Sequence, residues 1–227
     1  MLTDHSNTYR LNDVRNVAHI IRLKSILRTL GVRVRGKITT YADYGCSNGF
    51  ITSQVAQRLG IPKVSGFDHS DNVVVGSRLH PEINFQRLDL NVVHADLGKY
   101  DLVTCFETLE HVGNIESAIE NVCRSRSPGG CLLVTVPIEI GWIGFVKYVI
   151  KRFLFRYDLP LQCNDRQYAK ALLKGERISR FRPPAPGYGT HFGFDYRDVD
   201  EILSNRAKVR FEAWNSGTTR FYFIGST

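Results

Sequence analysis

One seven-residue stretch, Asp43-Tyr44-Gly45-Cys46-Ser47-Asn48-Gly49, constrains this chain more than any other. It follows a strand-like run, Thr39-Thr40-Tyr41-Ala42, and precedes a helix-like run from Phe50 to Leu59. Glycines between a strand and a helix permit positive φ and let a ligand approach the backbone and the helix N-terminus. The next strand-like run, Val64-Ser65-Gly66-Phe67, ends in Asp68. An acid at the tip of the second strand, roughly 20 residues past the glycine turn, suits the two hydroxyls of a ribose. The first half of the chain therefore reads as a site for a nucleoside-containing cofactor.

The rest of the chain supports a sheet able to carry such a site. Strands are expected near 39–44, 63–67, 83–88, 101–106 and 129–136, with helices near 50–59, 71–78 and 114–124. Short apolar strands alternating with helices argue for a mostly parallel sheet covered on both faces. Pro128-Gly129-Gly130 reads as a turn into the fifth strand. The tail offers a helix (Asp195 to Ser204) and two strands (Val209 to Trp214, Arg220 to Ile224). Residues 6–30 read as a helical N-terminal extension, with Val17, Ile20, Ile21, Ile26 and Leu30 near helical spacing. The whole of 1–227 is read as one domain, with 1–37 as that extension.

Three chemistries compete for the glycine turn. A dinucleotide site wants G-x-G-x-x-G, but Ser47 and Phe50 stand where the second and third glycines belong. A nucleophile elbow matches Gly45-Cys46-Ser47-Asn48-Gly49 literally, yet no oxyanion-hole loop precedes it. The third pattern, D-x-G-x-x-x-G, resembles the class I S-adenosylmethionine (SAM)-dependent methyltransferases. That resemblance covers Ile38 to Pro137 with specific motifs. It implies a Rossmann-like α/β fold: a mostly parallel seven-stranded sheet with an antiparallel C-terminal edge strand and helices on both faces. It also implies SAM as cofactor, with Gly45 and Gly49 under the methionine part, Asp43 positioning the methionine end and Asp68 on the ribose. Asn84-Phe85-Gln86-Arg87-Leu88-Asp89 would end beside the adenine amino group. The implied cofactor shell is Asp43, Gly45, Cys46, Ser47, Gly49, Asp68, Asp89, Leu90 and Phe106. The plainer reading leaves the glycines as turns and the acids as helix caps, in a binding module of the same fold.

Candidate chemistry follows the fourth strand, Tyr100 to Phe106. Glu107, Glu110 and His111 are spaced to share one side of a helical turn, at the strand end where open parallel sheets bind ligands. His111 suits a general base polarised by a carboxylate. His191, in Thr190-His191-Phe192-Gly193-Phe194-Asp195, is a second catalytic candidate, or else a helix-entry contact with Asp195 as cap. Glu-x-x-Glu-His with a later histidine resembles the metal site of small-RNA 2′-O-methyltransferases. A similar run recurs in ubiquinone-pathway O-methyltransferases, and no metal is assigned here. The preferred reading is methyl transfer to a hydroxyl of a small or lipid-linked acceptor, such as a glycolipid, a polyprenyl-linked sugar or a quinone precursor. Metal-dependent RNA methylation is the alternative, although no recognised RNA-binding module accompanies the domain.

Charge and cysteine usage bound the partners. The net charge is +8, with residues 1–37 carrying eight basic against two acidic groups and residues 139–182 carrying ten against four. Such flanks suit an anionic partner or a solvated surface. Five scattered cysteines and no apolar N-terminal signal suggest reduced thiols in the cytoplasm. Residues 139–190 form an insertion expected to cover the site and select the acceptor. Within it, Trp142, Ile143, Val146, Val149, Ile150, Phe153 and Leu154 share one side of a helical wheel over 142–157, opposite Lys147, Lys151 and Arg152. Two readings stay open: an anionic membrane surface at the inner face, or an apolar side packed on the domain with the lysines in water. Residues 182–187 read as a stiff return loop.

Overall fold

The computed structural model describes residues 8–9, 16–154, 164–184, 187–189, 191–205 and 211–225. Seven strands form one sheet in the order β3-β2-β1-β4-β5-β7-β6. They are β1 (Thr40–Tyr44), β2 (Lys63–Asp68), β3 (Ile83–Arg87), β4 (Tyr100–Phe106), β5 (Arg126–Pro137), β6 (Glu212–Ser216) and β7 (Thr219–Ile224). Strands β1 to β5 pair in parallel, and the C-terminal hairpin adds β7 antiparallel to both β5 and β6. The strand order reverses between β1 and β4, and a crevice opens at their C-terminal ends. The expected α/β architecture is the observed one.

The alternation of inward side chains explains the layering. Val103, Cys105, Leu132 and Val134 face one side and pack with α4 (Ile115–Arg124) and α7 (Tyr196–Asn205). Leu102, Cys131 and Leu133 face the other and pack with α1 (Val17–Arg33) and α2 (Phe50–Leu59). A strand buried on both faces needs apolar residues throughout, which is what β4 and β5 supply. Ile26 and Leu30 are fully buried. Burial of such a side chain contributes roughly 1.5–3 kcal/mol, so α1 is an integral layer of the fold. Helix α3 (Asn72–Leu79) completes the crossover from β2 to β3.

Several boundaries differ from expectation. The expected turn at Pro128-Gly129-Gly130 lies inside β5, as a register shift between Tyr100 and Leu102 on the partner strand. Gly130 is needed there: a Cβ would sit 2.8 Å from the Asp101 carbonyl oxygen. The N-terminal helix begins after Asn16 and runs to Arg33, past Gly31. Residues 6–7 and 10–15 of the expected helix and 209–210 of the expected sixth strand lie outside the described residues.

The insertion forms a small core of its own. Helix α5 (Gly141–Val149) continues as a π-helical turn to Leu154, and residues 155–157 of the expected helix lie outside the described residues. An unexpected helix, α6 (Asp165–Lys174), is capped by Asn164 and ended by Gly175 at φ +63°. Tyr168, Ala171 and Leu172 lie at helical spacing and pack with Tyr148, Ile178 and Phe192. Consequently the α5 wheel is turned differently from either reading of it. Tyr148 and Gly144 are buried, Lys147 and Lys151 point towards Glu139, and Trp142 and Phe153 are 68% and 72% exposed. The lysines do not face water, because the buried Glu139 carboxylate draws them inward.

Candidate active site

The glycine turn leaves no room for side chains. Gly45 has φ +81°, and a Cβ there would meet Thr108 Oγ1 at 2.0 Å. Gly49 has φ +79°, and a Cβ would meet the Phe85 ring at 2.4 Å. The Gly45 and Cys46 amides both donate to the Phe67 carbonyl, at 2.7 and 3.1 Å. Asp68 fastens the other side of the turn. Its Oδ2 accepts from the Ser47 amide at 2.8 Å, and its Oδ1 accepts from the Ser70 amide and hydroxyl at 2.9 and 2.7 Å. Ser47 and Glu107 hold φ of +51° and +49°, a region that costs a non-glycine residue strain and recurs at functional sites.

Beneath the turn, Asp43 accepts from Thr52 Oγ1 at 2.6 Å and from Thr104 Oγ1 at 2.7 Å. Burial lifts its carboxyl to about 6, although both threonine bonds work against this and nearby Asp68 adds to it. At the tip of β3, the Leu90 amide donates to the Tyr188 hydroxyl at 2.8 Å. Asp89 is exposed and held below the usual carboxylate range: burial works to raise it, but the hydrogen bonds from the Asn91 amide and side chain help to outweigh that.

The turn opens into a cavity of about 580 Å³. Its walls bring together Asp43, Gly45, Cys46, Ser47, Phe106, Glu107, Glu110, His111 and His191 from the sequence-predicted set. Gly49, Asp68, Asp89 and Leu90 do not line it. Residues 107–111 form a non-helical turn, because Glu107 takes left-handed backbone directly after β4. The expected helical spacing of Glu107, Glu110 and His111 therefore does not apply. Arg182 pins this turn by donating to the Glu110 and Val112 carbonyls at 2.9 and 2.8 Å.

The side chains of the far wall are strongly polarised. Glu110 is 3% exposed, its Oε2 takes no hydrogen bond among the described residues, and burial then Glu107 push its carboxyl well up. Burial and the neighbouring Glu107 thus both favour the protonated form of this carboxyl. Burial also raises Glu107, against the pull of Arg22 and Lys147. Arg22 Nη2 lies 3.0 Å from Glu107 Oε2. His111 Nδ1 donates to the Gly189 carbonyl at 3.0 Å, which assigns its proton and leaves Nε2 as the acceptor nitrogen. His191 Nε2 accepts from Lys151 Nζ at 2.5 Å. Burial, then Lys151, lower His191 to about 4, so it is neutral over most of the pH range. Burial works to raise Glu139, but Lys147 and Lys151 outweigh it and hold it ionised. Among the described residues, no three His, Cys, Asp or Glu side chains are grouped to hold a metal ion.

Residues 18–169 match the family described as a methyltransferase domain. The chain belongs to that family. A ubiquinone biosynthesis O-methyltransferase of Coxiella burnetii is 32% identical over 117 residues, 49% of this chain and 47% of that protein. One from Shewanella pealeana is 37% identical over 152 residues, 64% of this chain and 61% of that protein. The matched stretch thus spans about half to three-fifths of these curated relatives. The plantazolicin methyltransferase BpumL, solved with SAH, superposes with a TM-score of 0.63 at 10% identity, covering 98% of this chain and 88% of that one. A SAM-dependent methyltransferase from Clostridium acetobutylicum gives 0.62 at 11%, covering 97% and 96%. These structures share the fold.

In this member of the methyltransferase family, the side-chain-free backbone at Gly45 lines the cavity and fits the close approach of SAM, while Gly49 makes room for the Phe85 ring behind the turn. When bound, SAM supplies a methyl group on a sulfonium, already a strong electrophile. Several residues around the methyltransferase cavity carried no signal in the sequence. Tyr9, His19 and Arg22 come from the N-terminal segment, and Glu139 from the end of β5. Lys147 and Lys151 lie on the polar side of the helical wheel, and the structure turns that side inward.

Proposed function

We propose that this methyltransferase methylates a hydroxyl of a small or lipid-linked acceptor, with His111 as the general base. The observation that carries this is the fixed tautomer of His111. Its Nδ1–H is committed to Gly189, and its Nε2 belongs to a side chain that lines the cavity. Glu110, its carboxyl raised by burial and its Oε2 without a hydrogen-bond partner among the described residues, is placed to hydrogen-bond the acceptor oxygen. Removing the hydroxyl proton as the oxygen attacks contributes typically 10²–10⁴-fold. The rest of the wall aligns the acceptor and excludes water. The names of the relatives, O-methyltransferases of ubiquinone biosynthesis, favour an oxygen acceptor of the phenolic kind.

The lipid-linked part of the reading rests on α5. Its inner side contributes Lys147 and Lys151 to the cavity, while Trp142, Ile143, Val146, Ile150 and Phe153 are exposed on its outer side. An apolar acceptor tail leaving the cavity would meet an apolar surface there. No described helix is long and apolar enough to cross a membrane, so this reading is one of surface contact. Metal-dependent RNA methylation is disfavoured by cations: Arg22 occupies Glu107 and Lys151 occupies His191, where a divalent ion would be repelled.

The test is incubation with methyl-labelled SAM and a panel of phenols with and without polyprenyl tails, followed by mass spectrometry and NMR of products. Label on a phenolic oxygen is expected, fastest with the tailed members. Label on nitrogen or carbon, or transfer to RNA alone, would overturn the reading.

A further inference from the structure

The crevice at the strand ends has a direction. The glycine turn follows β1, the ribose acid Asp68 ends β2, and Asp89 and Leu90 follow β3. A nucleoside laid along it places its base beyond the ribose, at the β3 end. The cavity does not reach that far, since its lining on this side stops at Ser47 and Asn48. Tyr188 occupies the continuation. Its ring stacks on His69 with centroids 3.5 Å apart and planes 7° from parallel. Its hydroxyl accepts from the Leu90 amide at 2.8 Å, which leaves the hydroxyl proton free to be donated on the same edge. A flat ring with one acceptor and one donor on its edge is what an adenine presents with its ring nitrogen and exocyclic amine.

Tyr188 is also tied to the chemistry. It bridges Val112, and its neighbour Gly189 both donates its amide to the His111 carbonyl at 2.8 Å and accepts from His111 Nδ1 at 3.0 Å. The base that would abstract the acceptor proton therefore takes its orientation from the residue next to the ring in the adenine position.

We propose that Tyr188 is an internal nucleobase mimic that closes the adenine end of the site. Cofactor binding expels the ring, while Gly189 keeps both of its bonds to His111, so the base holds the same tautomer before and after loading. This rests on the SAM assignment. The closed form lowers apparent affinity, because only the open fraction binds and the apparent Kd is the intrinsic one divided by that fraction.

Calorimetry and stopped-flow binding of SAH to the wild type, Tyr188→Phe and Tyr188→Ala test it, with circular dichroism confirming the fold of each. Tyr188→Phe keeps the stack and loses the edge bond; its Kd should fall about 3-fold, and that of Tyr188→Ala about 10-fold. The wild-type association rate should level off with SAH concentration, at the rate of ring departure, and become linear in Tyr188→Ala. Adenosine alone should show the same order of affinities. Unchanged or weaker SAH binding in both variants would overturn the proposal and leave the cofactor assignment standing. Binding by none of the three folded proteins would overturn both.

Discussion

Arg22 of α1 and Glu107 at the end of β4 form an ion pair of 3.0 Å whose side chains are 15% and 17% exposed. Through it the N-terminal helix becomes a wall of the cavity. Removing one member of a buried pair leaves the other charge uncompensated, at a cost of about 3–5 kcal/mol in deeply buried cases. With this residual exposure, Arg22→Ala should cost about 2–3 kcal/mol in urea unfolding at neutral pH. A loss under 0.5 kcal/mol would show that solvent already screens the pair.

The two turn glycines should fail for reasons that Gly60 separates. Gly60 has φ +66° and open space around a Cβ. Gly60→Ala therefore reports conformational strain alone, about 1 kcal/mol. Gly45→Ala adds the clash with Thr108 and should exceed it by at least 2 kcal/mol, with SAH binding abolished. Equal costs in thermal unfolding would mean that Thr108 moves aside freely.

Asp43 gives a pH signature. Its carboxyl lies at about 6 when folded, against 3.8 when free. The folded state holds the proton more tightly, so the stability from this group is complete below about pH 4 and is lost as pH rises through 6. Two units correspond to about 3 kcal/mol. Urea titrations from pH 4 to 7 should show the wild type losing stability relative to Asp43→Asn. Parallel profiles for the two proteins would refute the assignment.

The two histidines should differ in kinetics. His111→Asn keeps a donor where Nδ1 faces Gly189 and removes Nε2. It should lower kcat about 10²–10⁴-fold while leaving the SAH Kd within about 3-fold. His191→Gln keeps an acceptor for Lys151 and should lower kcat less than about 10-fold. If the order is reversed, His191 is the base and Lys151 its modulator.

Vesicle sedimentation should separate the sides of α5. Replacing Trp142 and Phe153 together by Glu should abolish pelleting with anionic vesicles, as both rings are exposed. Lys147→Glu should leave pelleting intact and impair turnover, because Lys147 bonds the Ile138 carbonyl and Glu139 inside the cavity. Failure of the wild type to pellet would remove the lipid-linked acceptor.

The legible parts of this protein are those whose cause is local. A strand, a tight turn needing Gly45 and Gly49, a helix, and an acid at the next strand tip all lie within the short stretch from Thr39 to Asp68. The alternation of strands and helices followed from the same periodicities, whereas the antiparallel edge was implied by the resemblance to the class I methyltransferases. The cap at Asp195 was legible too: its Oδ1 accepts from the Arg197 amide at 3.1 Å. In contrast, the helical wheel of 142–157 showed which residues share a side but carried no information on which side is inside. Both sides of α5 are largely apolar, and only the buried carboxylate of Glu139 decides that Lys147 and Lys151 turn inward.

What the amino-acid order determined by itself was the sheet, its covering helices and the cradle for the cofactor, because backbone preference and apolar period act over a few residues. The tertiary structure alone decided that Arg22 meets Glu107, that Lys151 meets His191, and that Tyr188 meets His69 and Leu90. Each of these contacts joins segments far apart in the chain. They arise because the strand ends converge on one crevice, where desolvation makes any unpaired polar group costly and so selects partners from whichever element can reach it.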